Sequence, residues 1–134
     1  FKGRADLGHG SRLVVAGRLE LGDGFGINAE SAIICRKEIV FGSGCLLSWD
    51  VLIMDTDFHE IHQVGGKQLN EDRPVRFGDN VWVGCRSTIL KGVSLADGTI
   101  VGAGSHVIRS VDKKETIVAG NPALEVKEGV EWRR

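Results

Sequence analysis

Thirty-six consecutive residues, Phe77 to Asp112, divide without remainder into six blocks of six: FGDNVW, VGCRST, ILKGVS, LADGTI, VGAGSH and VIRSVD. Each block opens on a bulky apolar side chain: Phe77, Val83, Ile89, Leu95, Val101 and Val107. A period of six belongs neither to an amphipathic helix nor to a plain alternating strand. The fourth place holds Asn80, Arg86, Gly92, Gly98, Gly104 and Ser110. Gly and Asn enter left-handed backbone conformations at little steric cost, so this column reads as a corner. The fifth place holds Val81, Ser87, Val93, Thr99, Ser105 and Val111, all small or β-branched, as a narrow and partly enclosed position demands. A chain that turns every six residues, with one large side chain inward per turn, closes after three turns into a triangular coil. Stacked coils pair their short strands in parallel about 4.8 Å apart, and no coil is stable without a neighbour. The expected fold is all-β, a parallel β-helix shaped as a triangular prism.

The beat extends toward the N-terminus, with Val15, Leu21, Ile27 and Ile33 as openers and Gly22 and Gly24 at turn places. Phe41 follows Leu21 by twenty and not eighteen, so two extra residues bulge out between Arg36 and Val40. Phe41, Leu47 and Ile53 carry the openers onward, with Cys45 and Val51 in the fifth column. Phe1 to Gly10 shows no register and is expected to cap or overlie the first coil. From Phe58 to Pro74 the repeat is lost, Gly65-Gly66 supplies a tight turn and charge gathers, which reads as a loop protruding from the prism wall. A long loop in an otherwise regular scaffold is a place to look for function. After Asp112 the beat fades. Ala119-Gly120-Asn121-Pro122 reads as a turn, and residues 123–134 as a cap or tail, either an amphipathic helix or a last strand and tail. The whole of 1–134 is expected to form one domain.

Charge argues against several function classes. Lys and Arg number 17 against 18 Asp and Glu, a net charge of −1, so no basic field exists to attract nucleic acid or an anionic membrane. No apolar run approaches the length of a membrane span, and no charged leader with an apolar core opens the chain. A soluble cytoplasmic protein is the expectation. Cys35, Cys45 and Cys85 are odd in number and lack CxxC spacing, which favours reduced, small core residues over a metal site or a nucleophile.

One residue stands out chemically. His59 lies at the mouth of the protruding loop, after Asp55-Thr56-Asp57. An imidazole there, near carboxylates that hold its pKa in a useful range and fix its tautomer, could act as a general base. An ordinary surface histidine is the competing reading. His62, three residues on, raises zinc as a further alternative.

The chain resembles the hexapeptide-repeat acyltransferases, and within them the galactoside, maltose and capsular-polysaccharide O-acetyltransferases. The resemblance runs from about Val15 to Lys127 and rests on FGDNVWVG (Phe77 to Gly84), VGAGS (Val101 to Ser105) and AGNPA (Ala119 to Ala123). It implies a left-handed coil and a homotrimer with sites between subunits. It also implies acetyl-CoA as co-substrate, a sugar acceptor, and direct acetyl transfer with His59 as base and no metal. By the same resemblance Asn28, Asp57 and Trp82 line the acceptor site, with Trp49 and Asp50 as further candidates. Cys85 and Ala103 mark the pantetheine path, while Arg109 and Lys127 meet the phosphates. Leu124 stands where the family often has a basic residue, so Lys127, Arg133 or Arg134 would substitute. N-acetylation of an amino sugar, xenobiotic acetylation, and a non-catalytic prism that only binds or scaffolds are the competing functions. The γ-type carbonic anhydrases share the prism, but the spacing of His9, His62 and His106 does not resemble their zinc ligands.

Overall fold

A computed structural model describes residues Phe1–Arg134. The chain forms sixteen strands and no helix. In order they are β1 (Ala5–Leu7), β2 (Arg12–Val15), β3 (Arg18–Glu20), β4 (Phe25–Ile27), β5 (Ala32–Cys35), β6 (Glu38–Phe41), β7 (Leu46–Leu47) and β8 (Leu52–Met54). After the loop come β9 (Val75–Phe77), β10 (Trp82–Val83), β11 (Thr88–Ile89), β12 (Ser94–Leu95), β13 (Ile100–Val101), β14 (His106–Val107), β15 (Thr116–Gly120) and β16 (Ala123–Glu128). The strands are dealt in rotation to three sheets. Face one holds β1, β4, β7, β10, β13, β15 and β16; face two β2, β5, β8, β11 and β14; face three β3, β6, β9 and β12. All pairings are parallel except β15 with β16. The result is a left-handed parallel β-helix of triangular section.

The six-residue columns translate directly into geometry. The openers Phe77, Val83, Ile89, Leu95, Val101 and Val107 are all buried and belong to one core cluster that runs up the prism axis. Five of the six fourth-place residues, Asn80, Arg86, Gly92, Gly98 and Gly104, have positive φ, and Gly24, Glu30, Gly44 and Asp50 continue that corner column below the loop. Phe41 stacks on Phe77 at 4.2 Å between ring centroids and meets the edge of Phe25 at 4.8 Å. Phe25 is a large side chain in the fifth column, admitted because Cys45 lies nearest above it in that column. Each fully buried side chain of this size contributes about 1.5–3 kcal/mol relative to exposure.

Coil length changes along the column. Above the loop the register advances by eighteen, as in Trp82↔Ile100 and Thr88↔His106, and shortens to seventeen at the last parallel pair, Ile100↔Ile117. Below it the register advances by twenty, as in Ala5↔Phe25, Arg12↔Ala32 and Gly26↔Leu46. The two extra residues sit at the corner between faces two and three, at Ala16-Gly17 in the first coil and Arg36-Lys37 in the second. A side chain organises the second of these corners. Asp55 is fully buried, and its carboxylate accepts the backbone N–H groups of Arg36, Lys37 and Glu38 at 2.7, 2.8 and 2.7 Å. Three amides that a widened corner would leave unpaired are satisfied by one charge.

Three expectations are corrected or resolved. Val15 does not open the first block: Leu13 is the residue in register with Ile33 and Ile53, and Val15 lies 46% exposed at the uncovered end. Its six-residue distance from Leu21 is an accident of the lengthened corner. The N-terminal segment does not cap the first coil but is part of it, because β1 pairs in parallel with β4. Residues 123–134 form a strand and tail, not a helix. After β16 the tail turns back down the edge between faces three and one. There Trp132 Nε1 donates to the Asn80 carbonyl at 2.6 Å, and Arg134 donates to those of Gly24 and Cys45 at 2.7 and 3.2 Å.

The faces differ outside. Face three carries the exposed ion pairs Arg18–Glu38 and Arg76–Glu38. Face two turns Val14, Ile34, Leu52 and Met54 outward, an apolar row on a parallel sheet whose other side is core. Parallel sheets are ordinarily covered on both faces.

Candidate functional site

The wall opens after β8, at the edge between faces two and three. Asp55 and Thr56 remain buried and hold the near end of the loop, with Thr56 Oγ1 accepting the Phe58 N–H at 3.0 Å. Farther out, an antiparallel bridge between His62 and Gln68 closes around the Gly65-Gly66 turn. His59 is exposed and faces a cavity of about 670 Å³ that Arg36, Lys37, Thr56, Gln68 and Asn70 also line. The widened corner therefore has a consequence at the site: it carries Arg36 and Lys37 to the rim of the His59 cavity.

The carboxylates do not serve His59 as expected. Asp57 Oδ2 accepts Asn70 Nδ2 at 2.9 Å and forms an ion pair with Lys91. Those two donors, Lys91 first, hold its carboxyl below the usual carboxylate range. Glu60 turns to His62 Nε2 at 3.0 Å, and that contact, together with the Gly66 carbonyl, raises the His62 pKa. The His59 ring makes no hydrogen bond within the chain; its backbone alone is engaged, the N–H donating to the Asp57 carbonyl at 2.7 Å and the carbonyl accepting Asn70 Nδ2 at 2.8 Å. A free imidazole nitrogen facing an open polar cavity can accept a proton from a bound hydroxyl.

The other candidates lie elsewhere on the prism. Asn28, Trp49, Asp50, Cys85 and Ala103 fall on the edge between faces one and two, on the far side of face two from His59. Asn28 borders a separate cavity with Asp6, Leu46 and Arg134. Asp50 has φ 55°, the corner reading of that residue, and Trp49 is exposed. Cys85 and Ala103 occupy the same corner of successive coils, linked by Gly104 N–H donating to the Cys85 carbonyl at 2.8 Å. A Cβ on the adjacent Gly84 would fall 2.6 Å from the Ala103 nitrogen, so only glycine lets these coils approach so closely. Arg109 lies on the His59 edge, and Lys127 on the outer strand β16, opposite Ile117. Trp82 projects from face one, donates Nε1–H to Ser48 Oγ at 3.0 Å and packs against Trp132 at 5.8 Å. One chain thus unites Asp57 and Arg109 with the His59 edge, and Asn28 with Cys85 and Ala103 on the other, but does not bring the two sets together.

Several residues escaped sequence reasoning. Lys91 stands in the third place of its block, next to the corner directly above the loop, so stacking of corners was a usable signal. Asn70 lies in aperiodic loop, and Trp132 in a tail beyond the repeat, where no periodicity speaks.

Comparison with known proteins agrees with the fold. Residues 74–109 match the family described as bacterial transferase hexapeptide (six repeats). The polysialic acid O-acetyltransferase of Neisseria meningitidis is 34% identical over 108 residues, 80% of this chain and 50% of that protein. The galactoside O-acetyltransferase of Escherichia coli K12 is 26% identical over 110 residues, 82% of this chain and 54% of that protein. The chain spans about half the length of the curated relatives it matches. Among solved structures, a polysialic acid O-acetyltransferase superposes with a TM-score of 0.76 at 29% identity, covering 97% of this chain and 60% of that one. A galactoside acetyltransferase in complex with coenzyme A superposes with a TM-score of 0.69 at 22% identity, covering 87% and 64%, a likeness of fold. The chain carries a hexapeptide-repeat domain in a left-handed β-helix, and its neighbours among known proteins include O-acetyltransferases of galactoside, maltose and polysialic acid.

Proposed function

We propose that this prism is the catalytic body of an acetyl-CoA-dependent O-acetyltransferase acting on a saccharide hydroxyl, with His59 as general base. The observation that carries the reading is the exposed His59 ring on a polar cavity where the loop leaves the wall. In the reaction, an imidazole nitrogen takes the proton of the acceptor hydroxyl as that oxygen attacks the thioester carbonyl. The tetrahedral intermediate collapses, the C–S bond breaks, and the departing thiolate takes the proton back from the imidazolium. No acyl-enzyme forms. A placed base of this kind contributes about 10²- to 10⁴-fold, and holding acceptor and thioester together supplies much of the remainder.

The split of candidates over two edges fits a site made between copies. Three prisms packed through face two around a three-fold axis cover the apolar row of Val14, Ile34, Leu52 and Met54. Such packing sets the His59 edge of one copy against the Asn28, Cys85 and Ala103 edge of the next. Pantetheine then follows Cys85 and Ala103, Arg109 of the facing copy meets phosphate, and Asn28 orients the sugar opposite His59. Asp57 in this reading supports the loop instead of binding acceptor, since Lys91 and Asn70 already engage it.

The test is thiol release from acetyl-CoA with a panel of neutral, acidic and amino saccharides, the product identified by mass and by ester or amide stability. Saccharide-dependent release that falls about 10²-fold or more in His59→Ala supports the reading. Release that survives the substitution removes His59 as base, and amide products alone would favour N-acetylation.

A further inference from the structure

The His59 ring has no hydrogen-bond partner in its own chain, so whatever aims it must act through the backbone of the loop mouth. One side chain holds that backbone from both sides. Asn70 Nδ2 donates to the His59 carbonyl at 2.8 Å and to Asp57 Oδ2 at 2.9 Å, while Asn70 Oδ1 accepts the Ile61 N–H at 2.7 Å. Gln68 Nε2 reaches the same oxygen at 3.5 Å. A carboxamide has two donor hydrogens and two acceptor lone pairs, and Asn70 uses all four. Its orientation is not interchangeable: the His59 carbonyl and the Asp57 carboxylate only accept, and the Ile61 amide only donates. Lys91 ties this knot to the rigid prism, pairing with Asp57 and donating Nζ–H to the Asn70 carbonyl at 2.9 Å. The Lys91 side chain is 19% exposed and rises from the coil above the break.

We propose that Asn70 is a positioning residue for the proposed transfer, fixing the backbone on both sides of His59 and, through Asp57 and Lys91, locking the loop mouth to the prism wall. This rests on the reading of His59 as general base. Asn70 touches no reacting atom; it sets where the imidazole stands when the acceptor arrives. The geometry distinguishes it from its neighbours in the loop, because Glu60, Gln68 and Glu71 border the same cavity without a side-chain hydrogen bond to residues 57, 59 or 61.

The experiment compares wild type, Asn70→Ala, Asn70→Asp and His59→Ala by steady-state kinetics, melting temperature and NMR of the His59 ring. The expected result for Asn70→Ala is a kcat lower by about 10²-fold, the loss that a displacement of about 1 Å costs, with KM for acetyl-CoA within about twofold. The melting temperature stays within a few degrees, and the His59 ring signals broaden or shift. Asn70→Asp is at least as impaired, because its carboxylate faces two acceptors. A kcat within about twofold of wild type, or a loss matched by wholesale unfolding with unchanged His59 signals in the folded fraction, overturns the proposal. If His59→Ala keeps full activity, the base assignment fails. The positioning claim is then decided by the ring signals alone: altered in Asn70→Ala they uphold it, unchanged they overturn it.

Discussion

At the scale of single residues, burial sorts groups that look alike in the sequence. Cys35 and Cys45 are 1% and 0% exposed, and burial is the main force pushing both thiols up to about 11. They stay protonated at neutral pH, and a thiolate is the reactive form. Cys85 is half-buried at the corner assigned to pantetheine. A disulfide reagent at neutral pH is therefore expected to label one thiol of the native protein quickly and three after unfolding. Rapid labelling of all three would contradict the burial. The core status of Cys45 was legible from its column. The partners of Asp57 were not, because they come from residues 13 and 34 positions away. Spacing along the chain carries no record of a bond formed by a loop folding back on the wall.

Among elements, the corner between β5 and β6 shows how one irregularity serves another. Counting from Leu21 to Phe41 revealed two surplus residues, but not what holds them. Asp55, one turn of the coil later, stands in register with Cys35, two places after the opener Ile53, and puts a carboxylate at that inward place, where it binds three amides. Asp55→Ala takes the acceptor from three part-buried amides, at about 1 kcal/mol each, so a loss of about 3 kcal/mol is expected in a denaturant titration. Asp55→Asn, which keeps one acceptor oxygen, should lose less. A neutral effect of Asp55→Ala would mean the corner is satisfied some other way. The regular coils from Phe77 to Asp112 were readable because one residue per turn meets the axis and the corner excludes most side chains. Loop 58–74 and the tail were not, since their bonds are to distant coils and follow no period.

For the whole molecule, the proposed assembly makes the apolar row on face two the surface where copies meet. Charges introduced there, as in Ile34→Asp with Met54→Asp, would face a like row across the three-fold axis. Light scattering is expected to give three times the 14.5 kDa chain for wild type and mainly single chains for the double variant, with transfer activity lost alongside. A wild type that remains a single chain at working concentration, yet transfers acetyl groups, would contradict the shared site.

That sharing is best tested by complementation. His59→Ala and Asn28→Ala chains, each nearly inactive alone, are co-assembled in equal amounts and assayed for saccharide-dependent thiol release. If His59 of one copy works with Asn28 of the next, about a quarter of the interfaces in random mixtures combine both intact residues, and about a quarter of wild-type activity returns. Activity no higher than that of either variant by itself would show that the site does not form between chains.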